Sequence, residues 1–232
     1  MGINLPIVLY THTDMKDIWN MVFGQTNKYL SDYKVYVAVN QYDESIPQNY
    51  TQLIYDDSQT YTERWKQILP QISEEVILFM HEDMIMLDTP SINHINTYYE
   101  LVLSGRVYSV KLLLVGDRFA PSFVDSTLVS NQFSKLSIQP TIISKNRFLS
   151  ILERVGSKNI WDFEMAITGN LNDFLVQLGN EVKRGMYHYD STVFPYIATA
   201  INKGKWNYSE YKKELDVLSD EYNINLSDRG TV

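Results

Sequence analysis

EVILFMHEDMIMLD, residues 75–88, is the stretch that decides the fold of this chain. Its apolar run, Val76–Met80, is rich in β-forming side chains and too short for a free-standing helix, so it predicts a buried strand. The run ends on His81-Glu82-Asp83. Two adjacent acids directly after a buried strand are costly unless something compensates their charge. Either a divalent cation binds them at the carboxyl edge of an α/β sheet, or they cap a loop or helix and face water.

The acidic balance of the chain argues against a nucleic-acid partner. The 232 residues carry a formal net charge of −8, and the longest basic clusters are the pairs Lys183-Arg184 and Lys212-Lys213. A nucleic-acid-binding protein would normally present a basic face. A phosphorylated small molecule remains compatible with this charge if a metal ion bridges the like charges. The absence of cysteine excludes disulfides and thiolate metal sites.

No segment predicts a membrane span or a secretion signal. The first ten residues, MGINLPIVLY, lack the basic and long apolar regions of a signal peptide. The most apolar internal run, Val107–Val115, is interrupted by Lys111 and is too short to cross a bilayer. The sequence therefore predicts a soluble, cytoplasmic protein.

Strands and helices alternate in the first half of the chain. Apolar residues recur at helical spacing around Ile18 and again around Trp65. We expect strands on either side of these helices, at Leu5–Tyr10, Tyr33–Val39, Leu53–Tyr55 and Val76–Met80. This order predicts an α/β fold, Rossmann-like, with a mostly parallel sheet flanked by helices.

The second half predicts a more helical part. After a strand at Val107–Val115 and short strands up to Ile143, we expect helices from Asn146, over Trp161–Leu178, between Asp190 and Gly204, and over Tyr208–Tyr222. We therefore predict a single domain over residues 1–232. It would comprise an α/β half at 1–115, a more helical half at 116–225 and a loose tail at 226–232.

Polar residues follow each predicted strand of the first half. In an open α/β sheet, ligands bind outside the carboxyl ends of the strands, so these residues should share one edge. They are Thr11-His12-Thr13, Asn40, Asp56-Asp57 and His81-Glu82-Asp83.

Two residues near the start of the second predicted helix should lie close to the same edge. Arg64 could pair with a diphosphate or a base carbonyl, or it could lock Asp56 or Asp57 in place. Tyr61 could stack on a base, or it could cover the core. The residue types alone leave both pairs of alternatives open.

WDFE, residues 161–164, places a tryptophan beside two acids. Trp161 could cover the apolar face of a sugar while Asp162 or Glu164 takes a hydroxyl proton. Alternatively the acids begin a helix, where the helix dipole favours them, and Trp161 anchors the core. Further along, His188 would be a metal ligand only if it approached Asp83.

Together these segments resemble a small glycosyltransferase with the GT-A-type nucleotide-diphospho-sugar fold, of the kind found in bacterial polysaccharide clusters and large DNA viruses. The resemblance runs from Pro6 to Ile224. It is carried by Thr11-His12-Thr13, DSQTYTER at 57–64, ILFMHEDM at 77–84, WDFE at 161–164 and INKGKW at 201–206.

The resemblance implies transfer of a sugar from a nucleotide-diphosphate sugar to a hydroxyl of a carbohydrate or glycoconjugate acceptor. It further implies that Asp83 and Glu82, with His188 as a third ligand, hold Mn²⁺ or Mg²⁺ against the donor diphosphate. The sequence departs from the family's Asp-X-Asp element, because His81 stands where the first aspartate is usual.

By the same resemblance, residues 1–115 bind the donor nucleotide and residues 116–225 face the acceptor. Glu164, or failing that Asp162, would be the base that deprotonates the acceptor hydroxyl in an inverting transfer. The residues expected at the donor are Thr11, His12, Thr13, Asp57, Tyr61, Arg64 and Glu82.

Two other classes of function stay open. A sugar nucleotidyltransferase would normally carry a glycine-rich, basic phosphate loop after the first strand, where this chain has Thr11-His12-Thr13-Asp14. A non-catalytic relative that kept nucleotide or sugar binding is compatible with the altered acid motif.

Overall fold

The structure is a computed structural model that describes residues 4–114, 119–122, 124–131, 137–166, 174–177, 182–185 and 188–232.

A nine-stranded mixed sheet forms the centre of the molecule, in the order β3-β2-β1-β4-β8-β5-β9-β7-β6. The first four strands along the chain build its parallel half, in which β1 lies between β2 and β4. The strands are β1 (Ile7–Tyr10), β2 (Val35–Val39), β3 (Thr51–Ile54), β4 (Val76–His81), β5 (Ser109–Lys111), β6 (Phe119–Pro121), β7 (Leu128–Asn131), β8 (Thr141–Ser144) and β9 (Phe174–Gln177).

The parallel half confirms the α/β fold class and the prediction that the polar strand ends share one edge. Every residue of β4 is buried, because β4 lies inside the sheet between β1 and β8. β8 runs antiparallel to both β4 and β5. Strands β4 and β5 therefore run in the same direction, and β5 ends at the same edge of the sheet as β1 to β4. Its last residue is Lys111.

In the described part of the chain, six helices flank the sheet: α1 (Trp19–Tyr29), α2 (Tyr61–Ile68), α3 (Ile92–Leu103), α4 (Lys145–Val155), α5 (Ile160–Ala166) and α6 (Tyr208–Glu221). Helices α2, α4 and α5 cover the face of the sheet on which the side chain of Phe79 of β4 lies. Its ring lies 5.7 Å from that of Trp65 in α2 and 5.3 Å from that of Phe148 in α4. Phe148 in turn lies 6.3 Å from Phe163 of α5.

Two of the predicted helices in the second half are wrong. The helix predicted over Trp161–Leu178 ends at Ala166, and Phe174–Gln177 forms strand β9 instead; residues 167–173 and 178 lie outside the described residues. No helix forms in the described residues 190–203.

Backbone pairing explains the missing helix. Residues 193–200 run alongside residues 83–91, and Met86 and Tyr196 form an antiparallel bridge. The Ala200 N–H donates to the Asp83 carbonyl at 2.8 Å, and the Leu87 N–H donates to the Pro195 carbonyl at 2.9 Å. Pro195 also disfavours helical backbone at the residue before it. Tertiary pairing therefore prevails over the local helical pattern.

The C-terminal residues are attached, which corrects the prediction of a loose tail. Residues 226–228 form a short 3₁₀ helix, and Thr231 bridges Trp206. Arg229 pairs with Asp17, which follows β1, at 2.5 Å. Two small hairpins precede this segment, one joining Lys183–Arg184 to His188–Tyr189 and one joining Ile201–Asn202 to Lys205–Trp206.

Over the described part of the chain, no helix combines the length and the apolar character that a bilayer crossing requires.

The aromatic layer between the sheet and α4 gives a direct test of the fold. Replacing fully buried Phe148 by alanine leaves a cavity among Trp65, Phe79 and Phe163. We expect the free energy of unfolding to fall by about 3–5 kcal/mol in urea titrations. Tyr42→Ala, at a side chain that is 70% exposed, is the control and should change it by less than about 0.5 kcal/mol. Equal losses in the two variants would contradict the packing described.

Candidate functional site

Asp57 forms the centre of a cluster at the carboxyl ends of β1 and β3. His12 donates from Nε2 to Oδ2 of Asp57 at 3.0 Å and accepts the Asp14 N–H at Nδ1, as the neutral Nε2–H tautomer does. Arg64 pairs with Oδ1 of Asp57 at 2.7 Å. The His12 hydrogen bond, with the charge of Arg64, lowers the pKa of Asp57. Asp57 is thus an ionised, half-exposed carboxylate.

Arg64 locks the loop that carries Asp57. Its Nη2 donates to the Asp57 carbonyl at 2.6 Å, and its Nε donates to the Gln59 carbonyl at 2.9 Å. Its Nη1 donates to the hydroxyl of Tyr10 at 3.2 Å. These contacts favour the locking role over direct pairing with a diphosphate.

The two threonines after β1, Thr11 and Thr13, make hydrogen bonds within the fold. Thr11 is fully buried, and its hydroxyl accepts the Trp19 indole N–H at 2.8 Å, so its side chain does not face a ligand. The expected contact of Thr11 with the donor is therefore not one that its side chain is placed to make. Thr13 and Asn40 exchange two hydrogen bonds of 3.0 Å, which join the ends of β1 and β2.

Tyr61 lies in the core, which is one of the two alternatives that its residue type left open. It is buried, and its hydroxyl is hydrogen-bonded to Nε2 of His81 at 2.9 Å. His81 also stacks on Tyr10 with ring centroids 4.9 Å apart. Burial lowers the pKa of His81 to about 3, so this histidine is neutral. Its side chain is buried within the protein, at the position where the resemblance leads us to expect an aspartate.

Glu82 and Asp83 form a desolvated acid pair directly after β4. Burial raises the pKa of Glu82 to about 8, with a further contribution from Asp83, and burial raises the pKa of Asp83 to about 7. Oε2 of Glu82 is buried without a hydrogen-bond partner in the part of the chain that the structure describes. Arg229 partly offsets the shift of Glu82. Such a pair favours a nearby cation.

The donor set suits a divalent ion that the substrate helps to bind. Over the ranges with described coordinates, no group of three or more His, Cys, Asp or Glu residues lies close enough together to hold a metal ion. The backbone of His188 lies in the first small hairpin, and its side chain is outside the described part. Glu82 and Asp83 supply two adjacent carboxylates, and Oε2 of Glu82 has no hydrogen-bond partner among the described residues. Mg²⁺ sites of this composition are completed by phosphate oxygens and water.

The two acids of WDFE have different surroundings. Glu164 Oε1 accepts the Ile138 N–H at 2.5 Å, and its charge acts on Tyr61, as does the charge of Glu82. Because Ile138 precedes β8, which runs antiparallel to β4, this hydrogen bond places Glu164 at the edge of the sheet where β4 ends. Asp162 is exposed and exchanges hydrogen bonds with Asn159 at the start of α5, which is the helix-end alternative. Trp161 is 70% exposed and does not anchor the core.

Sequence reasoning missed Lys111 as a site residue. It ends β5 at the same edge, is only 5% exposed, and burial lowers its pKa to about 8. Glu164 is the carboxylate whose charge opposes this shift. In the sequence, Lys111 is a single lysine within an apolar run. From the local pattern alone, it reads only as an interruption of a strand. No pattern in the sequence predicts that Arg229 approaches Glu82, because the two residues lie far apart in the chain.

Comparison with known proteins reveals similarity at the level of the fold. No protein-family model matches the chain, and a search of curated proteins finds no match. Among solved structures, 2-C-methyl-D-erythritol 4-phosphate cytidylyltransferase from Thermus thermophilus is 10% identical with a TM-score of 0.52, covering 96% of this chain and all of the other. TarS from S. aureus is 14% identical with a TM-score of 0.51, covering 97% of this chain.

The chain has the fold of GT-A glycosyltransferases and of nucleotidyltransferases. The neighbours also include the glycosyltransferase GlyE of Streptococcus pneumoniae TIGR4, at 10% identity and a TM-score of 0.46 over 75% of this chain. This chain spans 41% of TarS and 45% of GlyE, so less than half of either protein is matched. At these levels of identity the likeness extends no further than the fold.

The buried acid pair predicts a stability that depends on pH. Glu82 keeps its proton in the folded protein up to about pH 8, whereas the unfolded chain releases it near its ordinary value of 4.5. The free energy of unfolding therefore falls as the pH rises between these two values. Glu82→Gln removes this cost, so we expect its melting temperature to exceed that of the wild type by about 2–4 °C at pH 8, for a gain on the order of 1 kcal/mol.

The gain should shrink towards zero at pH 4.5, where Glu82 is protonated in the folded state and half protonated in the unfolded chain. Exposed Glu153→Gln is the matched control and should show no such trend. Thermal melts of the metal-free proteins between pH 4.5 and 8.5 measure the difference. A gap that stays constant with pH would contradict the burial of an ionisable Glu82.

Proposed function

We propose that this chain is a glycosyltransferase that moves a sugar from a nucleotide-diphosphate sugar to an acceptor hydroxyl, with assistance from a divalent metal ion. One observation carries the proposal. Three separate carboxylate groups lie around one sheet edge: the locked Asp57, the desolvated Glu82–Asp83 pair, and Glu164 on α5. Each suits a different part of a nucleotide-sugar substrate.

Asp57 suits the nucleoside end. Its carboxylate is 47% exposed, while His12 and Arg64 hold it in one orientation. A fixed anionic acceptor of this kind can take N–H donors of a base or hydroxyls of a ribose. His12, with a side chain that is 23% exposed, lines the same position. We infer that Asp57 and His12 contact the nucleoside and that Arg64 positions them.

Glu82 and Asp83 suit the diphosphate end through a metal ion. When bound, Mn²⁺ or Mg²⁺ would neutralise charge that develops on the departing nucleoside diphosphate. Asp83 and the unpaired Oε2 of Glu82 are the residues that would hold it. His81 contributes by keeping the strand end rigid through Tyr61, not by ligation.

Glu164 suits the acceptor. In the proposed step the acceptor oxygen bonds to the anomeric carbon, the bond from that carbon to the diphosphate oxygen breaks, and the hydroxyl proton passes to the Glu164 carboxylate. The Ile138 N–H binds one carboxylate oxygen, which fixes the group and leaves the other for the proton. Exposed Trp161, one turn earlier on α5, could cover an apolar sugar face.

A sugar nucleotidyltransferase is the second candidate, because a cytidylyltransferase shares the fold over its whole length. That chemistry needs a cradle for a triphosphate. Here β1 leads into His12 and a 3₁₀ turn over Thr13–Ile18 whose first turn carries Asp14. Negative charge without glycine at this position disfavours a triphosphate.

The donor class can be tested by thermal stabilisation. We expect one of UDP, GDP, CMP and dTDP to raise the melting temperature, and the shift to need Mn²⁺. Asp83→Asn should abolish the metal-dependent part of this shift. A shift for CTP alone, with no nucleoside diphosphate effective, would favour the nucleotidyltransferase, and no shift for any nucleotide would favour a non-catalytic relative.

The base can be tested by comparing the two acids of α5. Glu164→Gln should leave donor binding unchanged and lower the rate of transfer by about 10²–10⁴-fold, the range for a lost general base. Asp162→Asn is the matched control and should keep the rate within a few-fold, because its carboxylate bonds only to Asn159 among its described partners. The opposite order of the two variants would assign the base to Asp162.

A further inference from the structure

Arg229 ties the C-terminal segment, residues 226–232, to the turn that follows β1. Its Nε and Nη2 donate to the two carboxylate oxygens of Asp17 at 2.6 and 2.5 Å, which makes a two-point ion pair. Its Nη2 also donates to the Asp14 carbonyl at 3.3 Å, and its Nη1 lies 3.5 Å from the Gly204 carbonyl. The Arg229 side chain is only 15% exposed, so these contacts are largely shielded from water. The proposed roles leave this residue unused.

The backbone on both sides of Arg229 fixes its position. Before it, the chain forms the 3₁₀ helix Leu226–Asp228. After it, Gly230 has a φ of 70°, a left-handed backbone that glycine adopts without strain, and its carbonyl accepts the Trp206 N–H at 3.0 Å. The Val232 N–H donates to the Trp206 carbonyl at 2.9 Å. Trp206 is buried, so the segment that carries Arg229 is anchored in the core.

The turn that Arg229 contacts also orients His12. The side chain of His12 caps the turn Thr13–Ile18, because its Nδ1 accepts the Asp14 N–H at 3.0 Å. Accepting at Nδ1 leaves the ring proton on Nε2, which donates to Asp57 at 3.0 Å. Asp14 is therefore bonded to Arg229 through its carbonyl and to His12 through its N–H.

We propose that Arg229 is a positioning residue for His12: by holding Asp14 in place, it keeps the imidazole in the Nε2–H tautomer that bonds to Asp57. An alternative partner for the ring lies close by, since one carboxylate oxygen of Asp14 is 3.4 Å from the same Nδ1. If Asp14 rotates, that oxygen can accept a proton from Nδ1, and the neutral ring then has no proton on Nε2 for Asp57. The consequence for nucleoside binding rests on the proposed function, whereas the tautomer does not.

The other contacts of the turn do not restrain Asp14. Two further side-chain bonds hold the turn, through Thr13 and Lys16, and neither involves Asp14. The Asp14 side chain is 89% exposed, so packing does not fix it. Among the side chains that the structure describes, His12 and Arg229 are the two that have hydrogen bonds to Asp14. Removal of Arg229 therefore frees the residue that sets the tautomer.

The first experiment reads the tautomer of His12 directly. The chain contains four histidines, so long-range ¹H–¹⁵N spectra of the ¹⁵N-labelled protein show few imidazoles, and His12→Gln identifies the signal of His12. At about pH 8.5 a histidine with an ordinary pKa is neutral. We expect one fixed Nε2–H tautomer in the wild type and a mixture of both tautomers in Arg229→Met. A variant that keeps the wild-type signal of His12 would overturn the proposal.

A second variant decides the question if Arg229→Met does not fold. Asp17→Ala removes the ion pair at a side chain that is 50% exposed, where a substitution is tolerated more readily than in the core. It should give the same mixture of tautomers, and an unchanged His12 signal in this variant would count against the proposal equally. Arg154→Met, at an exposed arginine of α4, is the matched control and should leave the signal unchanged.

The second experiment titrates UDP, GDP, CMP and dTDP, each with Mn²⁺, into the wild type and Arg229→Met. We expect the Kd of the nucleotide that binds the wild type to rise about 2- to 30-fold, the range for substitutions along a network of contacts. In the His12→Gln background, Arg229→Met should have no further effect. An equal effect in both backgrounds would mean that Arg229 acts by another route, such as its charge near Glu82, and would overturn the role through His12.

The two experiments separate the failure of this inference from the failure of the proposed function. If the wild-type protein binds none of the four nucleotides, the proposed function fails and the His12 spectrum alone decides the positioning role. If the wild type binds one of them and Arg229→Met binds it equally well, the consequence for nucleotide binding is overturned.

Discussion

The burial of Glu82 and Asp83 at the end of β4 is the constraint on which the rest of this structure depends. β4 lies inside the sheet with both faces covered, so the chain leaves the core through two acids that are half-buried and whose pKa values are raised. The segment that follows is held under residues 193–200 by backbone hydrogen bonds, including the one between Ala200 and Asp83. The protein thus maintains a costly arrangement by means of contacts elsewhere.

A rigid aromatic layer supports this edge. Tyr10, at the end of β1, stacks on Tyr55 at 5.1 Å and on His81 at 4.9 Å, and its hydroxyl accepts from Arg64. The same rings therefore connect the Asp57 cluster to the acid pair. Side chains held by packing and hydrogen bonds on strand ends keep their geometry better than side chains on free loops. This rigidity is what a site for a long, many-group substrate needs.

The sequence was sufficient for the first half of the fold, because local pattern and tertiary environment agree there. The apolar run Val76–Met80 became β4 with one added residue, and the polar ends of β1 to β4 meet at one edge. The second half was predicted less well. Residues 190–203 have a helical pattern, but pairing with residues 83–91 decides their structure, and a long-range partner leaves no mark on local periodicity.

The sequence predicted which residue types lie along this edge better than it predicted what each side chain contacts. Asp57, Arg64, Glu82 and Asp83 do meet along one edge, since strand direction alone places them there. Thr11 and Tyr61 are of suitable types but are buried, and only the packing of Trp19 and His81 against them reveals this. The different surroundings of Asp162 and Glu164 likewise depend on distant residues, because Glu164 accepts the Ile138 N–H whereas exposed Asp162 bonds to Asn159.

The raised pKa values of the acid pair bear on how a metal ion would reach the proposed site. Ligand carboxylates must be ionised to bind a metal, so an ion entering alone near pH 7 has to displace protons from Glu82 and Asp83. An ion that arrives with a diphosphate already has part of its oxygen shell supplied. Two desolvated carboxylates without a third described ligand therefore favour the complex of metal and donor over the free ion. For the proposed transferase, the same burial that destabilises the empty site links metal affinity to the presence of the nucleotide sugar.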